Sequence, residues 1–389
     1  MRKKLALSLA FLLILIYTGG VQAAPTQASA PMCAAVGGGL LSALAGAPAV
    51  GAQGAAVADA QTGRILISHN GRTQLPMAST TKVMTALVAL ERCDLADEVA
   101  IPDACVGVEG SSIYLQKGDT YRLETLLYGL MLRSGNDAAE SIACHVGGSV
   151  EGFVALMNAK AQELGCMDTH FANPHGLPAE GHYTTAEDLA VIAAAAMRNE
   201  TFRKIVSTKS ITLEGRAFVN KNKLLYDMED CNGVKTGFTK QAGRCLVSGA
   251  SRDGVQVVAV VLNSPDMYNT SRSLLEQGLG EVTNTEVVKT GQPYGIARVE
   301  NGNPGAVAAV AADDLSLPLR EGEWERLELE ALIPPSQAPL TRGQSVGQLI
   351  VRLDGVELGQ VRLISDRDAP VEENSGFWGW LRGLLGQAG

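Results

Sequence analysis

The stretch Pro76-Met77-Ala78-Ser79-Thr80-Thr81-Lys82-Val83-Met84-Thr85-Ala86-Leu87 changes character midway. After a first turn rich in hydroxyls, residues 78–91 are apolar on almost every side, with Val83, Met84, Ala86, Leu87 and Leu90. A helix of that kind belongs in the middle of a domain. With the helix starting here, Ser79 lies in its first turn and Lys82 one turn on, on the same face. A serine hydroxyl is a weak nucleophile until a base comes within hydrogen-bond reach. Lysine serves as that base only when neutral, and burial or a second cation each depresses its pKa. The helix N-terminus also favours negative charge developing near Ser79. S-x-x-K is common by chance, and its bland reading is a capping serine with a surface lysine. The apolar helix that follows leaves Lys82 little surface to occupy.

Two further motifs give this one context. Ser134-Gly135-Asn136 interrupts two helical stretches, 123–132 and 137–146, so both side chains can project from a tight turn into a cleft. Serine there can relay a proton, and the asparagine amide can donate to and accept from a peptide. Alone, this would read as an interhelical turn. Lys235-Thr236-Gly237 sits in a strand-like run, 234–239. It supplies a second cation, a hydroxyl and a glycine that lets a ligand approach the backbone. An edge strand here can pair with an extended peptide and offer a backbone N–H to an oxyanion.

The surrounding chain predicts an α+β fold. Residues 55–59 and 64–68 flank Gln61-Thr62-Gly63 and read as a hairpin. Helices are expected over 150–164 and 186–198, the latter opened by Thr185 with Asp188 three residues on. Strands 244–250 and 255–262 are joined by Asp253-Gly254, and a helix follows over 267–278. Strands, then helices, then strands imply an antiparallel sheet packed with helices. Composition shifts near residue 285. Residues 286–365 read as a small all-β domain without an acid, base or nucleophile cluster.

S-x-x-K, S-x-N and K-T-G in this order are shared by penicillin-binding proteins and serine β-lactamases. Together with Asn173-Pro174-His175-Gly176-Leu177 and Gly233-Val234-Lys235-Thr236-Gly237-Phe238-Thr239, the text resembles the low-molecular-mass D-alanyl-D-alanine carboxypeptidases over residues 50–285. The resemblance implies a β-lactamase/transpeptidase-like sheet, with a catalytic domain over 53–285. It implies that Ser79 forms the acyl-enzyme, Lys82 is its base and Ser134 shuttles protons. It places Asn136 on the substrate amide, Lys235 and Thr236 on its carboxylate, Gly237 beside the ligand, and the N–H groups of Ser79 and Phe238 in the oxyanion hole. The partners implied are peptidoglycan stem peptides and β-lactams; no cofactor or metal is implied. Where some relatives carry an arginine near the carboxylate pocket, this chain reads Asp266-Met267-Tyr268-Asn269. The load on Lys235 and Thr236 is correspondingly greater. A DD-endopeptidase shares the three motifs. A class A β-lactamase would add an E-x-x-x-N loop that is absent around residues 173–180, and a silent wall-binding sensor would need none of the set.

The ends speak to location. Arg2, Lys3 and Lys4 precede a short apolar run, 5–17, then Gly19, Gly20 and Val21-Gln22-Ala23. That is the pattern of a secretory signal peptide, residues 1–23, followed by an Ala/Gly/Pro-rich lead-in, 24–52. Phe377, Trp378, Trp380, Leu381, Leu384 and Leu385 recur at helical spacing, which suits an amphipathic membrane-surface anchor over 372–389. The expected location is the outer face of the cytoplasmic membrane. A net charge of -9 without a basic run excludes a nucleic-acid partner. Seven cysteines in an exported chain suggest disulfides, and Cys93 with Cys105 and Cys231 with Cys245 are the neighbours in sequence. Buried thiols are an equal reading for Cys144 and Cys166. No C-x-x-C spacing occurs and the histidines do not cluster with the cysteines, so no zinc site is expected. His175 is read as structural, and Asp137 as a helix cap.

Overall fold

The computed structural model describes residues 50–372. The calls on residues 1–23 as a signal peptide and on 24–49 of the lead-in, Cys33, and residues 373–389 of the expected anchor lie outside the described residues. Strands β1 (Gly54–Asp59), β2 (Ile65–His69), β3 (Cys231–Thr239), β4 (Gly243–Arg252) and β5 (Val255–Leu262) form one antiparallel sheet in the order β2-β1-β5-β4-β3. The β4–β5 turn puts Asp253 and Gly254 both at positive φ, 51° and 79°. Mirror-image turns of that kind match the twist of a hairpin, which is why Asp-Gly marks it.

Helices α1 (Lys82–Arg92), α2 (Leu123–Tyr128), α3 (Asn136–Gly147), α4 (Val150–Glu163), α5 (Ala186–Arg198), α6 (Glu200–Ser207) and α7 (Met267–Glu281) surround that sheet. Side chains alternate across a strand, and both faces here are covered. Ala56, Ala58, Val258 and Val260 join the core under α5, while Ala55, Val57, Val257 and Val261 join the one under α7. Buried residues on both faces make β1 and β5 almost uninterrupted apolar runs. Helix α1 is buried from Lys82 to Ala89 and packs against α3, α4, α5 and α6.

The helix expected over 123–132 is shorter. It ends at Tyr128 and continues as a π turn, Gly129–Arg133, which delivers Ser134 in the left-handed region at φ 66°. The extra residue in the turn re-aims the backbone while keeping Leu130, Met131 and Leu132 buried. Asp137 is not the expected cap: Gly135 is the N-cap of α3, and Asp137 lies within its first turn. Its carboxylate accepts from Ile113 N and Leu115 N at 3.0 and 3.1 Å and from Ser112 Oγ at 2.6 Å, clamping that loop onto α3.

The all-β part begins with β6 (Thr283–Val288). Strands β7 (Pro293–Glu300), β8 (Ala306–Ala311), β9 (Leu315–Leu319), β10 (Leu327–Leu332), β11 (Ser336–Gln337), β12 (Ser345–Leu353) and β13 (Val356–Ser365) follow. Six of them form a sheet in the order β10-β12-β13-β8-β7-β11, and β6 pairs with β9. Its core is separate, built on Val299, Val307, Leu317, Val351 and Leu363.

Cys93, Cys105, Cys144, Cys231 and Cys245 are free thiols. Cys231 pairs in register with Ala250 and Cys245 with Gly237, which sets those two apart along the β3–β4 ladder. Cys105 Sγ instead lies 3.6 Å from Cys144 Sγ, across a contact that sequence proximity does not suggest.

Candidate active site

Ala78, at φ 49°, opens a 3-10 turn, Ala78–Thr81, that runs directly into α1. Thr80 Oγ1 donates to Met77 O at 2.5 Å and Thr81 Oγ1 to Ala78 O at 2.8 Å, so the two threonines of S-T-T-K hold the turn. Ser79 is thereby fixed at the head of a buried helix. Asn136 is the first residue of α3, with Ser134 just before it. Strand β3 is an edge strand and passes beside the Ser79 turn. A Cβ added to Gly237 would sit 3.1 Å from Ser79 N and 3.2 Å from Met77 O, so only glycine fits without a shift. Phe238 is 64% exposed at the edge beyond it.

Lys82 is fully buried, and its Nζ has three oxygen partners. They are Ser79 Oγ at 3.2 Å, Asn136 Oδ1 at 2.7 Å and His175 O at 2.6 Å. Asn136 Nδ2 donates to Glu109 O at 2.5 Å, which fixes the amide with its oxygen toward Lys82. Two of the three partners are carbonyls and can only accept. A neutral amine has two N–H groups and one lone pair. With both N–H groups committed to the carbonyls, the lone pair faces Ser79 Oγ. The arrangement therefore orients a neutral Lys82 to take a proton from Ser79.

The charge balance favours the neutral form. Burial lowers the Lys82 pKa well below its ordinary value, and the cations Lys235 and Lys221 lower it further. Lys235 is itself buried, and burial followed by Lys221 brings it down to about 7. Its Nζ donates to Thr236 O at 2.9 Å. Ser134 is 5% exposed, and its Oγ has no protein hydrogen bond among the described residues, leaving it open to a substrate. An Asn136→Asp variant would put a buried carboxylate beside Lys82 and hold the lysine charged. We expect at least a tenfold slower acylation by penicillin, with the acid limb of the rate–pH profile moved to higher pH.

The loop 173–177 supplies the third partner. Asn173 Oδ1 accepts from His175 N and Gly176 N at 3.3 and 2.7 Å, and its Nδ2 donates to Leu177 O at 2.9 Å, which aims the His175 carbonyl. Thr85 Oγ1 anchors the same loop through Pro174 O at 2.6 Å. The His175 ring accepts from Leu177 N through Nδ1 at 3.1 Å, and its Nε2 lies 3.4 Å from Glu140. Burial and then Lys82 hold its pKa down to about 3, so the ring is neutral at working pH. Gly176, at φ 92°, is where this loop meets the nucleophile's turn: a Cβ there would lie 1.9 Å from Ala78 O. Gly176→Ala should cost roughly 2–4 kcal/mol through overpacking and left-handed strain. A thermal melt reads this as a Tm several degrees lower, and an unchanged Tm would contradict the packing described.

The eight candidate residues named from the sequence lie on the Ala78–Thr81 turn and the head of α1, at the start of α3, and on the edge strand β3. Four contributors were missed. The His175 and Glu109 carbonyls are backbone groups with no sequence signature. Asn173 was quoted only within a loop. Lys221 lies in a polar stretch with nothing to mark it; Asn222, its neighbour, ties that stretch to β3 by donating to Gly233 O at 2.8 Å.

Comparison with known proteins follows the same division. Residues 42–266 match the family described as D-alanyl-D-alanine carboxypeptidase, and residues 283–371 match the C-terminal domain of penicillin-binding protein 5. The chain is 31% identical over 351 residues to D-alanyl-D-alanine carboxypeptidase DacC of Escherichia coli, covering 86% of this chain and 87% of that one. It is 29% identical over 350 residues to DacF of Bacillus subtilis, covering 86% and 89%. The crystal structure of penicillin-binding protein 5 from Haemophilus influenzae superposes with a TM-score of 0.64 at 30% identity, over 84% of this chain and 99% of that one. A match of this extent in the catalytic and the β part alike assigns the chain plainly: it belongs to the D-alanyl-D-alanine carboxypeptidase family.

Proposed function

We propose that the protein is a serine-type D-alanyl-D-alanine carboxypeptidase acting on peptidoglycan stem peptides. The observation that carries this reading is the Lys82 amine, desolvated and held between two carbonyls with Ser79 Oγ at 3.2 Å. Ser79 Oγ attacks the carbonyl carbon of the penultimate D-alanine as its proton passes to Lys82. The N–H groups of Ser79 and Phe238 take the oxyanion. When the C–N bond breaks, the proton reaches the leaving amine through Lys82 and Ser134. Water then cleaves the ester and restores Ser79. Asn136 orients the substrate amide, Gly237 admits the peptide to the strand edge, and Lys235 and Thr236 hold the terminal carboxylate. A β-lactam acylates by the same route. Among the described residues no carboxylate hydrogen-bonds to Lys82.

The test is free D-alanine released from a peptide ending in Lys-D-Ala-D-Ala, with the same peptide amidated at its C-terminus as control. Release from the acid and little from the amide is expected. No release from the acid, with penicillin still bound covalently, would move the assignment to an endopeptidase.

The same reading puts the enzyme outside the cytoplasm, on the cell wall. We assign residues 1–23 to an export signal and 372–389 to a membrane-surface helix; among the described residues no helix is long and apolar enough to cross a membrane. Deleting residues 373–389 should shift the protein to the soluble fraction. An unchanged membrane fraction would remove the anchor.

A further inference from the structure

The far ends of α1 and α3 meet beside the strand Glu98–Ala100. Cys93 closes α1, and His145 lies in the last turn of α3. Asp97 sits on the turn between α1 and that strand. Its backbone is fixed by its own N–H to Asp94 O at 3.0 Å and by Leu123 N–H to Asp97 O at 2.9 Å. The Cys93 sulfur, an Asp97 carboxylate oxygen and a His145 ring nitrogen all lie within 4.8 Å of one another. His145 Nε2 is 3.8 Å from Asp97 Oδ2. All three side chains are partly exposed, so an ion can reach them.

Thiolate, imidazole and carboxylate are the donors that zinc and its neighbours take, in a tetrahedron with bonds of about 2.0–2.3 Å. That geometry separates the donors by about 3.3–3.6 Å. The His145 Nε2 to Asp97 Oδ2 distance of 3.8 Å is close to that separation, and Cys93 and Asp97 line a surface hollow with Asp94, Asn199 and Thr201.

We propose that Cys93, Asp97 and His145 bind one divalent transition-metal ion of the zinc type, with water as fourth ligand. The expectation of no zinc site rested on spacing along the chain; the fold brings the turn 93–97 against His145 of α3. The ion would tie the C-terminal end of α1 to that of α3. The N-terminal ends of the same two helices carry Lys82 and Asn136. Lys82 Nζ and Asn136 Oδ1 already meet at 2.7 Å without an ion, so the site is a structural tie away from the reacting groups. Without an ion, Cys93 hydrogen-bonds to Asp97 beside a long His145–Asp97 pair.

The test is titration of the purified, chelator-treated protein with cobalt(II), followed by displacement with zinc. One equivalent should bind with a thiolate-to-cobalt charge-transfer band. Cys93→Ser should lose that band, and Cys93→Ser and His145→Ala should each bind cobalt at least tenfold more weakly. Zinc should raise Tm by several degrees in the wild type and not in either variant. Penicillin labelling of the variants reports that they are folded. Absence of saturable cobalt binding in the wild type would overturn the proposal. So would a charge-transfer band that persists in Cys93→Ser, because the sulfur would then belong to the Cys105–Cys144 pair.

Discussion

Ser79→Ala is expected to abolish D-alanine release and to leave no covalent label from a fluorescent penicillin. The missing atom is the one that bonds to the acyl carbon, so the loss is one of mechanism and not of binding. A residual rate from water attack at a preorganised site would leave a drop of about 10⁴-fold or more in kcat/KM. The fold should survive. Among the described residues Ser79 Oγ is held by Lys82 alone, while the turn around it rests on Thr80 and Thr81 bonding back to Met77 and Ala78. An unchanged Tm beside zero labelling would separate chemistry from folding. Full labelling of the variant would show that another nucleophile carries the acyl group.

Lys82→Ala is expected to slow acylation by about 10²–10⁴-fold, the usual contribution of a positioned general base. Labelling persists at long times, because Ser79 remains. The pH profile carries the sign. On the proposed mechanism Lys82 acts when neutral, so the wild-type acylation rate should rise as pH passes upward through its depressed pKa. Lys221 is one of the cations that depresses it. In Lys221→Gln the charged form of Lys82 loses a repulsive neighbour, its pKa rises, and the limb moves to higher pH. Stopped-flow acylation measured across pH tests this. A limb that stays put in Lys221→Gln, or moves down, would mean that another group titrates.

Much of this was legible in the sequence because it is carried by side-chain chemistry at short spacing. Ser79 and Lys82 share a helix face; Asp253-Gly254 takes positive φ at both residues; Thr185 accepts from Asp188 N at 3.0 Å to open α5 at the expected residue. The misses have a common physical cause. The π turn after Tyr128 differs from an α-helix by one residue per turn, and a run of Leu and Met satisfies either period. The His175 carbonyl is a backbone atom, whose direction depends on Asn173 and on the φ of Gly176. Lys221 acts through charge across space, and the proximity of Cys93 to His145 exists only after α1 and α3 have packed.

The pairing of β1 with β5 has a kinetic meaning. Gly54 faces Leu262, so the strand at the start of the catalytic part waits for one about 200 residues later. Closing so long a loop brings its entropy cost before the contacts that compensate it, which makes such topologies slow to fold. During that delay β1 has an open edge, and the 3-10 turn that carries Ser79 has no β3 to lean on. The consequence is an order of assembly: the Ser79 turn gains its neighbour at Gly237 only once strand β3, about 150 residues further along, has joined the sheet.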